Sequence, residues 1–538
     1  MIESVVTKRL GALPVAAEFL RRLDVAGIVD ALCPPDPRAE LTHGQVIEVL
    51  VANRLTAPAP LFRVGDWARS WAVEEVFGVE ADLLGDDRLA RALDAIAPHL
   101  DRLAGSVGAA AIAGFGIDVA RIHWDMTSMS VHGAYPEAGQ DEDYPMVKFG
   151  HPKDRRVDLK QVQAGIGVAA DGGVPVFSRV LSGGAGEVSQ VVGAIQALKA
   201  LAGERRLLMV ADSKLYSWGN IGALLAAEVD FIAPVPASKI SDEFWAGLDL
   251  QQAAPVDYTA EREEHLPPEQ RGHYRVLQDI QRIPGPRKRD PVLQVRRILV
   301  HSTGNAAGQR QARTKRLAKA TAELEKVQRG ASGRYYNTAE KLAARVGVIA
   351  KTRRVASCLR TEIGTDEEGR PTLAWHFDEQ VLAVQAAADG WYALIASRPV
   401  EQATPAQVLL DYKGQGDAER RYGDFKGTLA VTPVFVQHNR RVAALVQVIC
   451  LALLVFCLIE RQVRQALERD GDGTMPGIYP GRRRVRPTGR MILHHLGELQ
   501  LRIRGATDPP TIILSQVVQV DLLDLLGLDV RRPRWLQT

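Results

Sequence analysis

VARIHWDMTSMSVHG, residues 119–133, sets one aspartate, Asp125, inside an apolar, β-rich run. A strand there is followed by two more, in VDLKQVQAGIGVAA (157–170) and VPVFSRVL (174–181), joined through the turn DGG. VSQVVGAIQALKAL (188–201) has the spacing of an amphipathic helix, and RRLLMVADS (205–213) that of a short apolar strand ending in an acid, Asp212. A helix in IGALLAAEVD and a strand in FIAPVP complete the run. Three strands, helix, strand, helix, strand predict an α/β fold with a mixed sheet. An acid in or at the end of a buried strand is costly unless something pairs with it. A strand-end aspartate also commonly caps the next turn, so Asp125 and Asp212 each have a structural reading beside the functional one.

Working outward, residues 1–117 are helix-like. Apolar residues recur at three- and four-residue intervals in AAEFLRRLDVAGIVDAL and HGQVIEVLVANRL, with breaks at CPPDP and TAPAPLF. Residues 239–400 are irregular and carry paired strands, HYRVLQDI and LQVRRILVHS, then a basic helix, as an insertion with its own small core would. Helical texture resumes over 401–470, and 471–538 form an Arg-rich tail containing GIYPGRRRVRPTGR. The expected domains are therefore 1–117, 118–238, 239–400, 401–470 and 471–538.

Composition narrows the class. At 538 residues, 46% hydrophobic and 24% charged, the chain is globular and multidomain. Net charge is only +3, but residues 306–354 hold thirteen Lys or Arg against three Glu, enough to hold a polyanion. Arg313, Lys315, Arg316 and Lys319 are the candidate contacts there. Four cysteines without metal or disulfide spacing fit a reducing cytosol, and the charged N-terminus lacks a signal-peptide core. The expected location is cytoplasmic. VAALVQVICLALLVFCLI (442–459) is long enough to span a membrane, but Gln447 inside it and the charged helix that follows predict a buried core helix.

A third acid comes from LLDYKGQGDAERRYGDFKG, 409–427. Tyr412, Gln415, Glu419 and Lys426 are spaced three, four and seven apart, which places them on one face if the segment is one helix. A carboxylate beside an amide, a phenol and an ammonium suits a metal-bound phosphate. His123 shares the Asp125 strand face. Trp218 is a candidate base-stacking residue, with core packing the commoner role for such a position. His494, His495 and Glu498 would be a metal set only if they project together; core or surface roles are the commoner outcome.

This stretch resembles the Y-R-E-K signature of insertion-sequence DDE transposases, with Tyr412, Glu419 and Lys426 at the family's spacings and Gln415 where the family has arginine. GHPKDRRVDLKQVQAGIGVAADGGVPVF, VADSKLYSWGNI, DGWYALIAS and TPVFVQHNRRVAAL resemble further blocks, so the likeness covers roughly residues 1–460. The resemblance implies a ribonuclease H-like mixed sheet flanked by helices, a β-rich insertion and a helical N-terminal domain that binds DNA ends. It implies catalysis by Asp125, Asp212 and Glu419 on two Mg2+ ions, with Mn2+ as substitute, and phosphate contacts from Tyr412, Gln415 and Lys426. The implied partners are the element's terminal inverted repeats, target DNA and a second copy of the chain on those ends. Gln415 leaves one alternative, a transposase relic that only binds DNA.

Overall fold

The computed structural model describes residues 5–133, 135, 141–150, 155–203, 205–260, 263–430, 436–481, 483–504 and 509–529, with the side chains of Glu187, Val188 and Asp417 outside the description. Parts of two family-like blocks, 151–154 and 431–435, and Arg482 lie outside the described residues. The chain is α/β, with mixed sheet and helices, and divides into two compact units: Met1–Asp230 with Lys413–Thr538, and Phe231–Tyr412.

The first unit contains β1 (Val5–Arg9), β2 (Arg121–Val131), β3 (Lys160–Ala169), β4 (Val174–Ser182) and β5 (Leu208–Ala211). The order β4-β3-β2-β5 has antiparallel β4/β3 and β3/β2 and parallel β2/β5. The parallel step requires a crossover, which the helix Glu187–Ala202 provides. Asp230, where the chain leaves this unit to begin the next strand, donates its amide to Leu207 O at 3.0 Å.

The helix Asn439–Asp470 packs on β4 and on the helices of residues 13–96. Its 18-residue apolar window is long and hydrophobic enough to cross a membrane, yet is wholly buried within the fold. Gln447 donates to Ser178 Oγ on β4 at 2.9 Å, so this polar side chain is held inside the core. The helix Leu100–Phe115 also lies on β4, at a crossing where a Cβ on Gly108 would stand 2.1 Å from Val176 O.

Two sequence expectations change here. Residues 1–117 are not purely helical: β1 pairs antiparallel with the strand Gln500–Arg504. Nor is 471–538 a tail. The helices Gly489–Leu496 and Val517–Leu525 pack against the Asn439–Asp470 helix, burying Ile492, Leu496, Leu522 and Leu523. His495 bonds Gln516 and Ile478 O, and Glu498 accepts from Gln516, so this candidate metal set is used in packing.

The second unit holds β6 (Asp230–Pro234), β7 (Ala254–Val256), β8 (Tyr274–Ile283), β9 (Leu293–Ser302), β10 (Leu359–Thr365), β11 (Pro371–Phe377) and β12 (Trp391–Ala396). β6-β12-β9-β8-β7 run antiparallel throughout. The β10/β11 hairpin and the helices Thr303–Arg329 and Ala339–Thr352 enclose a separate core around Leu324, Val327, Leu342, Val346 and Ile349.

Candidate active site

The parallel register of β2 and β5 pairs Arg121 with Leu208 and ends with Trp124 opposite Ala211. The next residues on the two strands are Asp125 and Asp212. Neighbouring strands lie about 4.8 Å apart and residues at one level project to one face, so two carboxylates 87 positions apart in sequence stand side by side at the carboxyl end of β5. In open α/β sheets that end is where ligands bind. β2 itself runs on to Val131 against β3, so Asp125 sits within a strand and is fixed by its ladder to Ile166. Trp124 anchors that ladder: a Cβ on Gly165 would stand 2.4 Å from its ring, and Phe177 packs on it at 6.2 Å.

Both acids are half-buried and each is oriented by a backbone amide. Asp125 Oδ1 accepts from Met126 N at 2.7 Å, and Asp212 Oδ1 from Lys214 N at 2.9 Å. The second bond caps the 3-10 turn Ser213–Leu215, so the capping role foreseen for a strand-end aspartate is present. Asp125, Asp212 and Lys214 line one small cleft of about 10 Å³, roughly the room for one water. The exposed Lys214 on its rim escaped sequence reasoning, although it stands two residues after Asp212 in the quoted VADSK. His123 is buried beneath this level of β2, and Trp218 is half-buried at the start of its helix.

The third expected acid lies on another element. The helix Gln415–Lys426, the site helix, packs on β2 and buries Ala418, Arg421 and Phe425. Tyr422 Oη donates to the carbonyl of Asp125 at 2.6 Å, docking the helix on the residue before Met126. Gln415, Glu419, Tyr422 and Lys426 share a face by helical period. Glu419 is exposed one turn from Tyr422 and does not line the cleft of Asp125 and Asp212. Among the described residues no three acids are grouped as metal ligands. The oxygen-only pair Asp125 and Asp212 fits a hard divalent cation; Glu419 belongs to the helix that Tyr422 docks on β2.

One expectation fails at Gly414. The Tyr412 helix ends at Lys413 and the site helix begins at Gln415, so Tyr412 and Glu419 do not lie on one continuous helix. Two glycines, 414 and 416, interrupt the run, and each costs about 1 kcal/mol relative to alanine inside a helix. Tyr412 closes the other unit, where it neighbours Tyr392; burial first, then Tyr274 and Tyr412, drive the Tyr392 hydroxyl far above the usual range.

Arg421, on another face of the site helix, fastens it from behind. It donates to Gly173 O at 2.8 Å, Gly172 O at 2.9 Å and Glu460 at 2.8 Å. The two glycines, at φ +76° and +64°, form the DGG turn, and a Cβ on Gly173 would press on the Arg421 guanidinium at 3.0 Å. Asp424 faces this same guanidinium at 3.3 Å. Burial lifts its carboxyl above the usual range and Arg421 offsets only part of that. Asp424 is therefore a weaker third acid than Glu419.

On the Thr303–Arg329 helix of the second unit the candidate phosphate contacts divide. Arg313 is buried and bonds both oxygens of Asp389 at 2.8 and 2.6 Å, so it is not a surface contact. Its phase explains this: it precedes buried Ala320 by seven residues and so shares the packed face. Arg316 is half-buried and donates to Gln385 at 2.8 Å. Lys315 and Lys319 are exposed. With Lys326 and Arg329, spaced seven and three further on, they form a cationic stripe about 21 Å long on the face opposite Ala306, Ala320 and Leu324. None of these four makes an ion pair among the described residues.

The comparisons with known proteins are sparse. Residues 5–101 match the family described as Domain of unknown function (DUF4277). No curated protein matches the chain. A search of solved structures aligns it with a piggyBac transposase synaptic complex with hairpin DNA, at 8% identity and a TM-score of 0.37, over 90% of this chain and 78% of that one. Likeness at that level carries no argument about function, which rests on the residues.

Proposed function

We propose that this chain is a DDE-type DNA transposase with a ribonuclease H-like core, cleaving and rejoining DNA through Asp125, Asp212 and Glu419. The observation that carries the reading is the parallel β2/β5 register with Asp125 and Asp212 one step past its end, on a helix-docked strand tied to the Glu419 helix by Tyr422. The strand order third, second, first, fourth supports the ribonuclease H-like assignment.

In this reading Asp125 and Asp212 hold magnesium, with Glu419 as the third ligand when DNA is bound. Magnesium there would supply charge neutralisation at the phosphodiester and a nucleophile of lowered pKa. The residues do the positioning. Met126 N and Lys214 N aim the two carboxylates, Lys214 offsets their mutual repulsion, and Tyr422 sets the distance between strand and helix. Lys426 and Gln415 flank Glu419 on the exposed face, where they grip phosphate oxygens. Water attacks first and frees a 3′-hydroxyl, which then attacks target DNA. Tyr412, on its separate helix, is left out of this set.

The test is a cleavage and joining assay on duplexes bearing the inverted repeats that flank the gene. Nicks and joined products are expected only with divalent metal; their absence from the wild type in every metal tested would overturn the proposal. Gln415 supports the second reading, a DNA-binding relic, because an amide replaces a guanidinium that would be always charged and bidentate. Restoring it by Gln415→Arg is expected to gain about 1–2 kcal/mol of end-complex stability, roughly 5–30-fold, in a gel-shift titration. No gain would mean that the chain has repacked around the amide, removing the case for decay.

The exposed stripe of Lys315, Lys319, Lys326 and Arg329 is read as a DNA backbone contact. Changing all four to alanine is expected to lower the slope of log affinity against log salt by about 3–4 units. Arg313→Ala should instead destabilise the second unit, since it leaves Asp389 buried without its partner. An unchanged slope in the quadruple variant would assign the stripe to solvent.

A further inference from the structure

In the second unit β8 and β9 pair along their whole length, from Tyr274 opposite Ser302 to Ile283 opposite Leu293. Their neighbours stop short of the turn. β7 covers only Tyr274–Val276 of β8, and β12 reaches β9 only from Arg296 to His301. From Gln281 and Val295 onward the pair is a two-stranded ribbon, with no further strand on either edge among the described residues, closed by the loop 284–292.

Charge collects at that end. Residues 280–292, IQRIPGPRKRDPV, hold four cations, Arg282, Arg287, Lys288 and Arg289, against one acid, Asp290. All four cations are exposed, and none makes an ion pair or side-chain hydrogen bond among the described residues. Asp290 is engaged inside the loop: its carboxylate accepts from Arg287 N at 2.8 Å, and its amide donates to Arg287 O at 3.0 Å. The loop is also braced. Pro284, Pro286 and Pro291 fix three of its φ angles, and a Cβ on Gly285 would stand 2.3 Å from that of Asp290. Behind it, Arg297 on β9 bonds Asp279 at 2.7 Å and Gln281 at 2.9 Å on β8, and Arg296 holds Arg398 O and Ala403 O at 2.6 and 2.9 Å. Three adjacent cations on a stiffened arm repel one another and lose little further freedom on binding. A surface of opposite sign relieves that repulsion.

We infer that this ribbon is a DNA-binding arm whose tip enters the major groove of a B-form duplex, with Arg287, Lys288 and Arg289 on the phosphates of the groove walls. That groove is about 12 Å wide and admits a two-stranded ribbon, whereas the major groove of A-form RNA is too deep and narrow for side chains to read. Behind the tip, Arg282 on β8 stands opposite Gln294 on β9, and both are exposed. A guanidinium and an amide are the side-chain forks that match the edges of guanine and adenine. The choice of DNA as partner rests on the proposed function; the contact itself requires no catalysis.

The test uses the full-length chain and duplex DNA without free divalent metal. Changing Arg287, Lys288 and Arg289 together to alanine is expected to weaken binding at least tenfold at about 0.1 M salt, and to lower the slope of log affinity against log salt by about 2–3 units. The three side chains are exposed, and an unchanged urea midpoint would verify that the fold is intact. Placement is read from Lys288→Cys carrying a tethered iron-EDTA probe, which labels the arm selectively because Cys33, Cys358, Cys450 and Cys457 are buried. Cuts on both strands within a short window, displaced to the 5′ side, are the expected mark of the major groove. A 3′ displacement or an absence of cuts overturns the inference. So does an unchanged salt slope on duplex DNA, including one that is lowered only on RNA. Neither readout involves DNA cleavage by the protein, so this failure is distinct from a failure of the transposase reading.

Discussion

Asp125→Ala is expected to abolish DNA cleavage while leaving end binding almost intact. Asp125 stands mid-strand, where Ile166 on β3 and the turn of β5 hold the backbone whatever the side chain. Its carboxylate accepts a hydrogen bond from the neighbouring Met126 amide, so truncation frees that amide at the cleft. A metal ion supplies several kcal/mol of transition-state stabilisation, and each 1.36 kcal/mol is a factor of ten. Loss of a ligand shared by the site should therefore cost about 10³-fold or more in single-turnover cleavage. The basic stripe proposed as a DNA contact lies in the other unit and is untouched. Parallel loss of binding and cleavage, with a lowered unfolding midpoint, would make Asp125 a structural acid.

Arg421→Ala should carry the largest stability cost. The side chain is 3% exposed and ties together two carbonyls of the DGG turn and the carboxylate of Glu460, with Asp424 a fourth acceptor at 3.3 Å. Breaking a buried pair from one side costs about 3–5 kcal/mol, and here two backbone carbonyls are stranded as well. The measurement is a urea titration, where the midpoint falls at constant slope. Arg421→Lys should recover only a fraction, because a single ammonium cannot span all of these acceptors. A change under about 0.5 kcal/mol would contradict this account of the site helix. Acid should erase part of the same stabilisation. Burial alone would raise the Glu460 carboxyl, but the bond from Arg421 and the charges of Arg421 and Arg464 outweigh it and hold it below the usual range. A folded pKa below the unfolded value of about 4.3 means the contribution is full above that value and is lost as pH falls through the folded pKa. The gap between wild type and Glu460→Gln should narrow in that window.

Much of the first unit was legible because its signals are periodic. Strand runs around Asp125 and Asp212, the DGG turn and the crossover helix follow from period two, period 3.6 and turn chemistry, and the sheet of the first unit has those elements in the expected sequence. The burial of 442–459 was legible from Gln447, which needed a partner and has Ser178. What failed was phase and interruption. A count of basic residues over 306–354 ignores which way each one faces, whereas the spacing of Ala306, Ala320 and Leu324 already turns Arg313 inward. Spacing of three, four and seven across 412–426 assumes a continuous helix, and Gly414 breaks it. Long-range partners left no local mark: nothing in residues 5–9 announces a strand at Gln500–Arg504, and nothing near Arg421 points to carbonyls some 250 positions earlier.

Glu419 is the member of the proposed triad furthest from direct contact, so it carries the decisive measurement. Manganese binding to the chain on end-bearing DNA can be titrated by electron paramagnetic resonance in wild type, Glu419→Gln and Asp424→Asn. The account predicts that Glu419→Gln binds the ion at least tenfold more weakly, while Asp424→Asn matches wild type because Asp424 is engaged with Arg421. Equal binding in wild type and Glu419→Gln, or loss confined to Asp424→Asn, would contradict the assignment of Asp125, Asp212 and Glu419 as one site.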